Sequence, residues 1–138
     1  MEYIDTSVML SLIDKKDMKH RIAMDLLNNC NKPVITEMNI IEAKSVISRS
    51  TDLTEIEIDA VIEYIKKILN YIDIDMEKSM KIAISIVYKI KLKTLDCIHI
   101  SNAISLNAEK FVTFDRDFKK KESAIKSFGI SIINPIEL

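Results

Sequence analysis

The chain has 138 residues, 48% apolar and 30% charged, with one Gly, two Pro, two Cys and no Trp. At that length a single domain over residues 1–138 is expected, able to bury about two-thirds of its unfolded surface without a disulfide or a structural zinc. Twenty basic against twenty-one acidic residues leave a formal charge of −1, which excludes a global positive field drawing the protein onto nucleic acid.

In chain order, a short apolar run predicts a strand at residues 2–5. A helix follows at 18–29, with Ile22, Ala23, Leu26 and Leu27 on one side, then a strand at 33–36 and a helix at 38–49. The clearest amphipathic pattern is 55–69, where Ile58, Val61, Ile62, Ile65, Ile68 and Leu69 keep helical spacing while Asp59, Glu63 and Lys67 form the wet side. A strand at 71–74, helices at 77–90 and 95–106, a strand at 110–113, a helix at 117–128 and a strand at 131–133 complete the chain. The single Gly129 would close the last helix. Apolar strands joined by helices predict an α/β fold: a central, mainly parallel sheet of about five strands with helices on both faces. In such sheets, sites form beyond the carboxyl ends of the strands.

The basic clusters at Lys15, Lys16, Lys19 and Arg21, and at Arg116 with Lys119 to Lys121, read first as solvated faces. Cys30 and Cys97 belong to no C-x-x-C or Cys/His cluster, so free thiols in a reducing cytosol are expected. The amino terminus, MEYID, has no basic region leading into an apolar run, and no stretch approaches about eighteen uncharged apolar residues, so a cytoplasmic protein without a membrane span is expected.

Two carboxylates fall at the predicted carboxyl edge: Asp5, which ends the first strand, and Asp115, just past the fourth. Either alone reads first as a helix cap. Two more acids lie on helix rows that otherwise face the core, Glu42 between Met38 and Val46, and Asp96 with Ile100 and Ala103. An unpaired buried carboxylate costs several kcal/mol, and the sequence offers no evident buried Lys or Arg for them. Capping after Thr94 is a structural account for Asp96; a divalent cation would satisfy all four. Such an oxygen-only donor set suits Mg²⁺ or Mn²⁺ rather than Zn²⁺, and suits phosphodiester hydrolysis.

The residues that carry these acids resemble a known family. YIDTSVML, KHRIAMDLLN, KPVITEMNIIEAKSVISR, TLDCIHISNA and KFVTFDRDF, in this order, are similar to the PIN-domain ribonucleases, most of all the VapC-type toxins of toxin–antitoxin pairs. The resemblance implies Mg²⁺- or Mn²⁺-dependent RNA cleavage at Asp5, Glu42, Asp96 and Asp115, with Glu42 acting through a bound water. It further implies a homodimer and a silencing antitoxin. Thr6 and Thr113 are candidates for orienting carboxylates or water, or for capping. Asp117 is either a fifth acid or the cap of the helix that begins at Phe118, and the cap is the favoured reading. His99 reads as a packed histidine beside the site rather than a general base. The alternatives are a non-cleaving PIN-like module that binds RNA or protein, an RNA-processing nuclease outside toxin–antitoxin systems, and a phosphoryl-transfer protein. The last leaves Glu42 and Asp96 unexplained, and Ser7 stands where a D-x-D phosphatase needs its second acid.

Overall fold

The computed structural model describes residues 1–136; residues 137 and 138 of the expected domain lie outside them. The elements are β1 (Glu2–Ile4), α1 (Thr6–Ile13), α2 (His20–Asn29), β2 (Pro33–Val34), α3 (Glu37–Ser50), α4 (Glu55–Ile68), α5 (Met76–Ile90), α6 (Thr94–Ser105), β3 (Lys110–Val112), α7 (Arg116–Lys120), α8 (Glu122–Lys126) and β4 (Ser131–Ile133). All strand pairs are parallel, in the order β2-β1-β3-β4. The chain leaves β1 toward one edge and returns to pair β3 on its other side, so the switch point lies between the carboxyl ends of β1 and β3.

Alternation along each strand divides the core in two. Tyr3, Val34, Phe111 and Ile132 pack under α5, α6 and Phe118 of α7. Ile4, Ile35 and Val112 pack under α1, α3 and α4. Tyr3 stacks on Phe111 with centroids 5.3 Å apart, and Phe111 meets Phe118 at 4.6 Å.

Three expectations are corrected. The sheet has four strands rather than five, because at 71–74 only an isolated bridge, Ile35 to Tyr71, forms. There Ile74 N–H turns to Glu37 Oε1 (3.3 Å) and Asp75 caps α5 through Lys78 N–H, so the backbone leaves the sheet after one rung. Helix α1 was not expected: TSVMLSLI is buried over most of its circumference and shows no wet face to set a period. The helix at 117–128 breaks at Lys121, with Lys119 and Lys120 at the carboxyl end of α7 and Glu122 opening α8, each favourable for the local dipole.

Glycine scarcity is met by other residues. Asn70, Lys91 and Asn107, which follow α4, α5 and α6, take φ of 51°, 51° and 55°, while Gly129 takes 87°. Asn tolerates this region through local hydrogen bonding, whereas for Lys91 the conformation costs about 1–2 kcal/mol.

Asn39 ties the site's foundations together. Fully buried on α3, it donates to Ile4 O at 2.8 Å and accepts Thr36 N–H at 2.9 Å, joining the end of β1 to the start of α3. Asn39→Ala leaves both backbone groups unpaired in the core and should lower stability by about 2–3 kcal/mol. A fall in the urea midpoint without a change in slope checks this.

Candidate metal centre

Parallel pairing sets Ile4 opposite Val112, so the residues that follow, Asp5 and Thr113, emerge side by side. Asp5 is only 6% exposed. It stands at the N-cap position of α1 but makes no side-chain cap bond; its Oδ2 instead accepts the hydroxyls of Ser7 and Thr113, each at 2.7 Å. Ser7 had no assigned role in the sequence. Its hydroxyl also accepts Phe114 N–H at 3.1 Å, which ties α1 to the turn carrying Asp115. The signal that could have found it is its place two residues after a strand-end acid, at the start of a helix.

Asp115 does cap: its Oδ1 accepts Asp117 N–H at 2.9 Å, and Thr113 Oγ1 accepts Asp115 N–H at 2.9 Å. The favoured cap reading of Asp117 is therefore corrected. Because the helix begins at Arg116, two residues before the Phe118 start that a cap at Asp117 requires, Asp117 lies in its first turn and its carboxylate faces the site. Carboxylate oxygens of Asp96, Asp115 and Asp117 all lie within 4.8 Å of one another.

Asp96 lies in the first turn of α6, whose N-cap is Lys93. Its carboxyl is pushed up to about 6, first by burial and then by the charges of Asp115 and Asp5, with His99 opposing and Glu42 adding a smaller push. Asp5 and Glu42 stand outside the group of three, near enough for their charges to be felt.

Glu42 is half-buried on α3, and its buried partner is neither Lys nor Arg but His99. Its Oε1 accepts Thr6 Oγ1 at 2.8 Å and a short bond from His99 Nε2. Burial raises the Glu42 carboxyl, but the bond and charge of His99, with Thr6, outweigh that and hold it below the usual carboxylate range. Burial likewise lowers the His99 imidazole, and the facing carboxylates Glu42, Asp5 and Asp96 more than restore it, leaving it raised. Thr6 thus braces Glu42, and Thr113 braces Asp5.

The centre is open to Arg116, which is exposed, and to Lys120, whose Nζ lies 3.8 Å from Asp117 Oδ1 with both side chains well solvated. A pair of that kind supplies little compensation. Three converging carboxylates, one of them pushed up to about 6 by burial and then by its neighbours' charge, form a hard oxygen donor set that fits an octahedral divalent cation.

The PIN domain model matches residues 3–123. VapBC2 from Rickettsia felis, bound to a DNA fragment from its promoter, is similar at 18% identity with a TM-score of 0.71, covering 97% of this chain and 98% of that one. A toxin–antitoxin complex from Klebsiella pneumoniae is similar at 16% and 0.72 over all of both chains. VapC20 from Mycobacterium tuberculosis, a toxin that cleaves the sarcin–ricin loop, is similar at 14% and 0.69 over 87% of this chain and 94% of that one. No curated protein sequence matches. Identities this low speak for the fold, and the fold is shared almost end to end with VapC-type toxins. With its acids at the β1–β3 switch point and the family model matching most of its length, this chain belongs to the PIN-domain family.

Proposed function

We propose that residues 1–138 form one nuclease domain, a Mg²⁺- or Mn²⁺-dependent endoribonuclease that is the toxin of a toxin–antitoxin pair. The observation that carries this reading is the set of carboxylates from Asp96, Asp115 and Asp117 within 4.8 Å of one another at the sheet's switch point. Asp5, Asp96 and Asp115 would hold the ion, with Asp117 as a further ligand and Glu42 acting through water. A divalent ion bound there supplies the Lewis acidity that activates water and offsets phosphate charge. The chain's own residues arrange the rest. Ser7 and Thr113 hold Asp5 by one oxygen and leave the other for the ion. The Asp117 amide orients Asp115, and Glu42 would accept a proton from attacking water. Solved complexes of similar chains, from Rickettsia felis and Klebsiella pneumoniae, hold a toxin with its antitoxin, which supports an antitoxin as partner here. Among the described residues no helix is long and apolar enough to cross a membrane, which is consistent with a cytoplasmic setting.

A homodimer is part of this reading, and the outer face of α5 supports it. Ile84 and Tyr88 are 71% and 79% exposed, and Met76, Val87 and Leu95 of α6 extend the apolar face. Ile84 is the midpoint between Glu77 and Lys91, and also between Met80 and Tyr88. If α5 packs antiparallel on a second copy with the twofold at Ile84, each Glu77 meets the other copy's Lys91 about 10 Å from the axis. The charges on the face thus complement a copy of themselves.

Three measurements test the proposal. End-labelled RNA should be cut with Mn²⁺ or Mg²⁺ and left intact with EDTA, and Asp5→Asn and Asp96→Asn should each slow cutting at least a hundredfold (about 3 kcal/mol); RNA bound equally well in EDTA but never cut would favour the non-cleaving module. The raised carboxyl of Asp96 favours the folded state while protonated, and that contribution fades as pH rises through about 6. In EDTA at pH 7.5, Asp96→Asn should therefore melt about 2–4 °C above the unsubstituted protein, the gap closing toward pH 4, and Mn²⁺ should raise the melting temperature of the unsubstituted protein alone. Ile84→Glu, which sets two like charges on the axis, should yield monomer in sedimentation equilibrium where the unsubstituted chain gives dimer.

A further inference from the structure

His99 and Tyr3 are buried polar groups that the chemistry above does not consume. His99 is 1% exposed and uses both ring nitrogens: Nδ1 lies 2.7 Å from Tyr3 Oη, and Nε2 meets Glu42 Oε1. Since Glu42 is ionised, Nε2 carries the proton and donates. The far end of this line is anchored as well. Tyr3 Oη lies 3.0 Å from Thr36 Oγ1 and accepts from Asn102 Nδ2 at 3.4 Å. Its ring is stacked on Phe111 and meets the imidazole edge-on with centroids 5.7 Å apart. The imidazole therefore has one orientation, and that orientation aims a donor at Glu42.

A phenyl ring at position 99 would fill this space without the desolvation that a buried imidazole incurs. What the imidazole adds is a hold on Glu42 that competes with the ion. Both donors, His99 and Thr6, take the same oxygen, Oε1, and Glu42 is absent from the group of carboxylates that converge within 4.8 Å.

We propose that the Tyr3–His99 pair, with Thr6, is a positioning device that withholds Glu42 from direct ligation of the divalent ion and leaves its Oε2 to engage water. The inference rests on the metal-site reading above. Freed from His99, Glu42 would turn into the cluster as one more anionic ligand. Ion affinity would then rise while the positions left for water and phosphate fall, so binding and turnover change in opposite directions. A histidine that merely packs would, when lost, weaken both.

The test uses the full chain and manganese chloride, titrated by calorimetry, beside single-turnover cleavage of RNA at saturating Mn²⁺. His99→Phe keeps the ring and removes the donor; its Mn²⁺ dissociation constant should fall at least fivefold and its cleavage rate at least tenfold. His99→Gln returns a neutral amide donor near the Nε2 position and should restore both values to within about twofold of the unsubstituted protein. That rescue separates positioning from loss of a positive charge, which Gln would not replace. Tyr3→Phe removes only the hydroxyl anchor and should move both readouts in the same directions by less, and it decides the question if circular dichroism finds His99→Phe unfolded. An unchanged or weaker Mn²⁺ affinity in the donor-less variants, or a Gln variant that behaves like Phe, overturns the proposal. If the unsubstituted chain binds Mn²⁺ but cuts no RNA, the nuclease reading fails and the affinity measurements still decide this one. If no variant binds Mn²⁺, the device has nothing to withhold Glu42 from and the proposal falls with the site.

Discussion

The register between β1 and β3 is the constraint on which the centre depends. Ile4 faces Val112 across the central pair, so the next residues on each strand, Asp5 and Thr113, emerge together and bond at 2.7 Å. Because strand side chains alternate, a slip of one residue would turn Tyr3 and Phe111 out of one core and Ile4 and Val112 out of the other. The cores on the two faces therefore hold the register, and the register holds the site. Asn39 extends the same constraint to α3, since its bonds to Ile4 O and Thr36 N–H fix where Glu42 rises beside the sheet end.

Gathering acids in this way carries an electrostatic penalty, and the protein offsets it unevenly. Asp5 is satisfied by two hydroxyls, Asp115 by a backbone amide, and Glu42 by Thr6 and an imidazole. Asp96 has the weakest compensation: burial and the charges of Asp115 and Asp5 all act against its ionised form. The residual strain of like charge is thus concentrated on one residue of the three-carboxylate group. That distribution suits a site meant to take up a cation, because the group with most to gain from it is the one where the charges converge.

The same offsets set out a division among the acids. Asp96, Asp115 and Asp117 converge, Asp5 is braced beside them, and Glu42 is turned aside by a line of contacts running from the stacked Tyr3 ring through His99. A buried network of this kind is stiff only when every member is satisfied. Here each polar atom along the line has a partner, so a change at Tyr3 would be felt at Glu42.

Much of this was legible before any tertiary contact was known. The α/β class, the helix at 55–69 and the placing of Asp5 and Asp115 at strand ends all follow from local patterning, which depends on neighbours within a turn or a short apolar run. Periodicity failed where burial is nearly all-round, as in α1, or where a run too short to hold a ladder meets a helix cap, as at 71–74. The roles within the centre depended on tertiary structure. Asp117 joins the acids because α7 starts at Arg116, two residues before Phe118, with Asp115 as its cap. Ser7 bridges two chain segments 107 positions apart, and Glu42 meets His99 across 57. Bonds of that reach are decided by register, helix start and side-chain rotamer together, and a single sequence carries no periodic trace of them.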